Sequence, residues 1–135
     1  MDRFIYKYAV VIGIDGMGNF NKDTDTPNID RIFGGGASTF YGFSMYPTIS
    51  AQNWGAMLLG TAPETHGMTN ESLNEGPHAD DSPIPSVFRR LRAVFPDAVL
   101  ASFCDWDPIN YGIIEQGYGV EFRRAEREDL AAQMA

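Results

Sequence analysis

Asp15 and Ser50 are the two residues in this chain whose types and places suit them to shared chemistry. Asp15 follows the apolar, β-branched run 8–14 and precedes Gly-Met-Gly at 16–18. A strand over 8–14 puts its carboxylate at a strand's carboxyl end, the edge at which open α/β sheets bind ligands. Ser50 lies in Tyr46-Pro-Thr-Ile-Ser-Ala-Gln-Asn53, which reads as a loop turning sharply into a helix. Thr48 and Ser50 stand where a helix needs an N-cap, and the amides of a first turn favour an anion. A carboxylate and a hydroxyl at one sheet edge are able to share a divalent metal. The metal lowers the hydroxyl pKa and makes it a nucleophile. Taken singly, each residue has a plainer role, Asp15 as a turn residue before Gly16 and Ser50 as a helix cap.

The elements that must position this pair follow from periodicity. The run 8–14 suits a strand buried on both faces of a parallel sheet. Gly16 and Gly18 lack the third glycine and the immediate helix of a dinucleotide fingerprint, so that fold is set aside. Thr26-Pro27 opens a short helix ending at the glycines 34–36, and 37–45 alternates as a second strand. In the helix that Ser50 opens, Ala51, Trp54, Met57 and Leu58 form an apolar face, and Gly60 and Pro63 stop it. Residues 69–85 form a long polar loop, expected to be functional or covering. Over 86–95 an amphipathic helix buries Val87, Phe88, Leu91, Val94 and Phe95, with Arg89, Arg90 and Arg92 on a solvated face. A third strand is expected over 98–103, a helix from an Asp107 cap to about residue 114, and a fourth strand over 118–122. A charged, alanine-rich helix is expected from Glu126 onward. Alternating strands and helices imply an α/β fold, a mostly parallel sheet with helices on both faces. Three or four strands with so few helices leave that sheet incomplete. The expectation is therefore an N-terminal part, 1–135, of a single larger α/β domain.

Composition narrows the function. The chain has 135 residues, 44% hydrophobic and 21% charged, which is ordinary globular composition. A net charge of −8 argues against a nucleic-acid polymer as partner, since backbone recognition needs clustered Lys and Arg. An acidic protein that handles phosphate must neutralise it locally, with metal ions or a few focused donors. The lone cysteine, Cys104, permits no internal disulfide and reads as a small buried residue. With no secretory signal and no apolar run of membrane-spanning length, the expectation is a soluble cytoplasmic protein without a membrane partner.

Four segments carry a resemblance to a known family. Ile12-Gly-Ile-Asp-Gly-Met-Gly18, Thr26-Pro-Asn-Ile-Asp30, Tyr46-Pro-Thr-Ile-Ser-Ala-Gln-Asn53 and Gly60-Thr-Ala-Pro-Glu-Thr-His-Gly67 resemble, in order and spacing, the alkaline phosphatase superfamily. The nearest branch is the nucleotide pyrophosphatase/phosphodiesterase-like one. The resemblance implies an alkaline phosphatase-like fold and a metal-dependent phosphohydrolase, a phosphodiesterase or nucleotide pyrophosphatase acting on a small phosphate ester or nucleotide. It implies two divalent metal ions, zinc first and manganese second, with Asp15 as a metal ligand. Ser50 becomes both metal ligand and nucleophile, where the phosphodiesterase branch commonly has Thr. Asn70, one residue closer to the His-Gly pair than the family pattern, corresponds to the asparagine that donates to a phosphoryl oxygen, with Glu71 as the neighbouring alternative. The implied course runs through a phosphoserine or nucleotidyl-serine.

The family's remaining Asp and His ligands, including an adjacent Asp-His pair, have no counterpart here. His66 reads as a structural turn residue and His78 as exposed. Trp54 and Trp106 read as packing, and Asn53 as a packing or capping residue. Most metal ligands are thus expected beyond residue 135, and the chain alone is expected to be inactive or nearly so. Three alternatives stay open: a phosphate monoesterase or a phosphate-transferring mutase of the same superfamily, and a truncated non-catalytic binding or structural domain. A sulfatase is disfavoured, because Ser50-Ala-Gln-Asn53 does not match the Cys/Ser-x-Pro-x-Arg context its nucleophile needs. An incomplete sheet would expose an edge and a face, so self-association is expected.

Overall fold

The computed structural model describes residues 6–124, which fall into two units dividing between Phe43 and Ser44. The helix expected from Glu126 lies outside the described residues. Among the described residues, no helix is long and apolar enough to cross a membrane.

The N-terminal unit contains a 3₁₀ turn, Phe20–Lys22, and helix α1, Pro27–Gly34. Pro27 takes the first helical position, where its missing N–H is no loss. Thr26 does not cap with its side chain. Its hydroxyl donates to Asp30 Oδ1 at 3.1 Å, and its carbonyl accepts the Asp30 amide at 2.9 Å. The expected strands 8–14 and 37–45 are not strands in this structure. Their apolar side chains lie in the open, with Val11 80% and Phe43 94% exposed. An apolar run becomes a strand only when a neighbouring strand takes up its amides and carbonyls, and the described residues give these two runs no ladder.

The second unit carries helices α2 (Ser50–Leu59), α3 (Pro63–His66) and α4 (Val87–Val94) and a parallel pair of strands, β1 (Leu100–Cys104) and β2 (Val120–Arg124). A 3₁₀ turn, Ser72–Asn74, lies between α3 and α4, while a π-helical turn, Ile109–Ile113, and a 3₁₀ turn, Gln116–Tyr118, lie between the strands. The fold is thus a small α/β arrangement, and its sheet is the one parallel pair, with Leu100 opposite Val120 and Cys104 opposite Arg124. Its core joins α2 to the turns that follow. Ala51, Leu59, Met68, Leu73 and Ile113 are buried together, with Trp54, Leu58, Ile84, Trp106 and Ile109 packed against them. Each fully buried aliphatic side chain of this kind contributes about 1.5–3 kcal/mol relative to exposure. Both tryptophans therefore serve packing, as their spacing suggests. Cys104 is buried, its thiol donates to the Trp106 carbonyl, and burial pushes that thiol up from its usual range.

Helix α4 covers less of its apolar face than expected, with Phe88 and Phe95 half-buried and Val87 and Leu91 exposed. None of its residues is buried, and Val94 is 64% exposed. The arginines instead hold backbone. Arg92 donates from Nε to Tyr118 O, from Nη1 to Pro96 O and Ala98 O, and from Nη2 to Gly119 O, at 2.6–3.1 Å. One guanidinium thus joins the entrances of both strands. Carbonyls at 98, 118 and 119 are engaged there, and the ladder begins two residues later than the pattern 98–103 and 118–122 suggested. Arg89 donates to Ser82 O at 2.7 Å and lies 5.4 Å from the Tyr118 ring centroid. Arg90 donates to Pro85 O. A guanidinium has five fixed donors, so it can bind several carbonyls where a greasy face finds no partner.

At the start of α4, the buried Glu115 carboxylate accepts the Ser86 amide at 2.9 Å, and the Ser86 hydroxyl accepts the Arg89 amide at 3.3 Å. A carboxylate there complements the positive end of the helix dipole. The polar loop over 69–85 is anchored by Asp80 to the turn before β2. Asp80 accepts the Gly117 amide with Oδ1 and the Tyr118 hydroxyl with its carbonyl. His78 is not merely exposed, because its Nε2 meets the Ile84 carbonyl at 2.9 Å. Asp107 does not cap a helix. Arg124 draws its carboxylate to 2.8 Å, and the segment after Pro108 winds as the π turn.

Gly112 packs closely against the core, since a Cβ there would lie 2.8 Å from Leu73 Cβ and 2.9 Å from the Leu73 carbonyl oxygen. Gly112→Ala is expected to destabilise the chain by about 1–3 kcal/mol through overpacking. Urea unfolding would show this as a lower midpoint at unchanged slope, and an unchanged midpoint would contradict the packing described.

Candidate active site

Helix α2 starts without a cap of its own. The N-cap position falls on Ile49, which has no side-chain acceptor, and Ser50 is the first helical residue. The expected capping role of Thr48 and Ser50 is therefore not the geometry found. Asn70 acts instead, its Oδ1 accepting the Ala51 amide at 3.0 Å from nineteen positions away. The first four N–H groups of a helix have no carbonyl one turn earlier, and a remote amide oxygen satisfies one of them here. The same bond draws the Asn70 carboxamide to the turn that carries Ser50, and both residues are half-buried. Glu71, the neighbouring alternative, points its fully exposed carboxylate elsewhere. Its own backbone amide, then the Thr69 hydroxyl, hold that carboxyl below the usual range.

The loop leading to Ser50 is fixed by Asn53. Its Oδ1 accepts the Met45 amide at 2.7 Å, and its Nδ2 donates to the carbonyls of Met45, Pro47 and Ile49 at 3.1–3.2 Å. One side chain on the first turn thus tethers the approach 45–49, holding the loop rather than capping the helix.

His66, at the end of α3, touches both halves of the site. Met68 N–H donates to Nδ1 at 3.0 Å, so Nδ1 carries no proton, and Nε2 holds it and donates to the Gln52 carbonyl at 3.2 Å. Beyond the expected turn role, this imidazole joins the third residue of α2 to the segment leading to Asn70. Sequence reasoning passed over that link. The available signal was Gly55, since a Cβ there would come within 2.8 Å of His66 Cε1.

Asp15 lies in the N-terminal unit, exposed, in a turn after the extended run. Among the described residues, no group of three or more His, Cys, Asp or Glu is gathered as a metal site.

A hydroxyl at a helix start and a tethered carboxamide near it are groups suited to an anion. The matching family sharpens that class. The type I phosphodiesterase / nucleotide pyrophosphatase family matches residues 9–85, more than half of the chain, and the chain belongs to this family. Asp15, Ser50 and Asn70 all lie inside the matched span. No curated protein and no solved structure matches the chain.

Two expectations follow. Asn53→Ala removes four hydrogen bonds to the 45–49 approach and is expected to cost about 1–2 kcal/mol. Denaturant unfolding within about 0.5 kcal/mol of the native chain would refute the tether. Burial, more than the nearby His78, holds the His66 pKa below its usual 6.5, opposed by the Gln52 carbonyl and Glu64. The unfolded chain therefore takes up this proton first as pH falls. The His66 contribution is fully present above pH 6.5 and is lost as pH drops from there through the lower folded value. Between pH 7 and pH 5 the native chain should lose more stability than His66→Gln. Parallel profiles would remove His66 as the cause.

Proposed function

We propose that the protein is a metal-dependent phosphohydrolase, a phosphodiesterase or nucleotide pyrophosphatase, in which Ser50 is the nucleophile. The observation that carries this reading is the placement of Ser50 at the start of α2, beside the Asn70 carboxamide, within the family-matched span. The Asn70 NH₂ group, its Oδ1 held by the Ala51 amide, donates to a non-bridging phosphoryl oxygen at the positive end of α2, where charge builds during transfer. Ser50 Oγ attacks phosphorus in line. An Oγ–P bond forms as the bond to the leaving oxygen breaks, giving a phosphoserine or nucleotidyl-serine, which water then hydrolyses.

Two divalent metal ions, zinc or manganese, belong to this reading, with Asp15 and Ser50 as ligands. When bound they lower the hydroxyl pKa and take up charge on the leaving oxygen. The described residues do not by themselves complete such a site. The reading therefore assigns the remaining ligands to sequence beyond residue 135, and the chain to the N-terminal part of one alkaline phosphatase-like α/β domain.

The full-length protein, supplied with zinc or manganese and aryl phosphate diesters and monoesters, tests the assignment. Ser50→Ala is expected to lower turnover by about 10³-fold or more. Turnover that survives the substitution would sink Ser50 as nucleophile. Faster monoester than diester turnover would move the protein to the monoesterase branch.

A further inference from the structure

The 69–74 segment is a stiff turn. Thr69 and Ser72 exchange amide-to-hydroxyl bonds at 2.9 and 3.1 Å, and Asn74 Nδ2 donates to the Asn70 carbonyl at 2.8 Å. Stiffness within a turn does not set its height against α2, and His66 supplies that connection. Its Nε2 bond to Gln52 and its Nδ1 bond from Met68 close a circuit with the Asn70 bond to Ala51. Gln52 of α2 is thereby joined to Met68 through one rigid ring, beside the direct bond from Ala51 to Asn70. Gly55 lets that ring lie against the helix backbone, with a Cβ at position 55 excluded by Cε1 at 2.8 Å and Nε2 at 3.1 Å.

We propose that His66 is the positioning residue of this site, holding the segment 68–70 against the first turn of α2 so that the Asn70 carboxamide stays beside Ser50. The proposal rests on the reading of Ser50 as nucleophile and Asn70 as phosphoryl donor. The circuit needs an acceptor and a donor at opposite ends of one rigid group. Neutral imidazole has both, whereas ammonium and guanidinium groups only donate and an ionised carboxylate only accepts. Asn places an acceptor near the Nδ1 position without the far donor, so it keeps the arm that leads to Asn70. Gln places a donor near the Nε2 position and loses that arm.

Two measurements test the proposal. In the first, amide hydrogen exchange is followed on this chain as native protein, His66→Phe and His66→Asn. Phe should raise exchange at Ala51 and Met68 by about tenfold or more while the last turn of α2 keeps its protection. Asn should restore protection at Met68. Native-like exchange at Ala51 in the Phe variant would overturn the proposal. Should the Phe variant not fold, Gly55→Ala presses on the ring directly and must loosen the same two amides.

In the second, turnover of the full-length protein should fall about tenfold to a hundredfold in kcat for His66→Phe, with KM within about threefold, because misplacement acts on the transition state. His66→Asn should recover more of kcat than His66→Gln. A loss confined to KM, or no difference between Asn and Gln, would overturn the positioning role. Ser50→Ala separates the two readings. Unchanged turnover there discards the nucleophile, while the exchange result at Ala51 and Met68 still decides whether His66 holds the circuit.

Discussion

The amide donors of the α2 first turn must be satisfied, and Ile49 has no side-chain oxygen to satisfy them. One remote side chain meets part of that need, and two others hold the backbone around it. Asn70 reaches the Ala51 amide, Asn53 gathers the approaching loop, and His66 joins Gln52 to Met68. A local Ser or Thr cap would have tied the helix only to its own neighbour. A remote cap ties it to the segment that carries a second polar group, so local capping and assembly of the site become one interaction.

A second polar system shapes the rest of this unit. Arg92 collects carbonyls from both strand entrances, and the buried Glu115 sits at the start of α4 with Ser86. Arg89 is 3.9 Å from that carboxylate. These groups hold backbone carbonyls just before both strands, so a helix outside the sheet ties the two entrances together. The apolar stripe of α4 contributes less, since Val87, Leu91 and Val94 are exposed.

Several features were legible before any fold was known. The bounds of α1 and α2 follow from Pro27, the helical spacing after Ser50, and the stop at Gly60. Trp54, Trp106 and Cys104 are packing residues, as their apolar surroundings suggested. The four motifs lead to the phosphodiesterase/nucleotide pyrophosphatase family, which the match over 9–85 establishes. Arg89 and Arg92 of α4, and His78, were misread because sequence spacing shows which side of a helix or loop a residue occupies, without showing which carbonyl meets it. The strands expected at 8–14 and 37–45 show the same gap, since apolar alternation states a preference that only a partner strand realises.

Sequence alone determined the chemical inventory of this protein: a hydroxyl at a helix start, a carboxylate after an apolar run, and an asparagine after a His-Gly turn, in family order. Those are properties of side chains and short-range spacing. Tertiary structure alone decided that Asn70 caps α2 and that His66, bound through both ring nitrogens, links Gln52 to Met68. The reason is geometric. A hydrogen bond needs a donor and an acceptor within about 3 Å, and residues nineteen positions apart meet at that distance only once the turns and core between them have set the path of the chain.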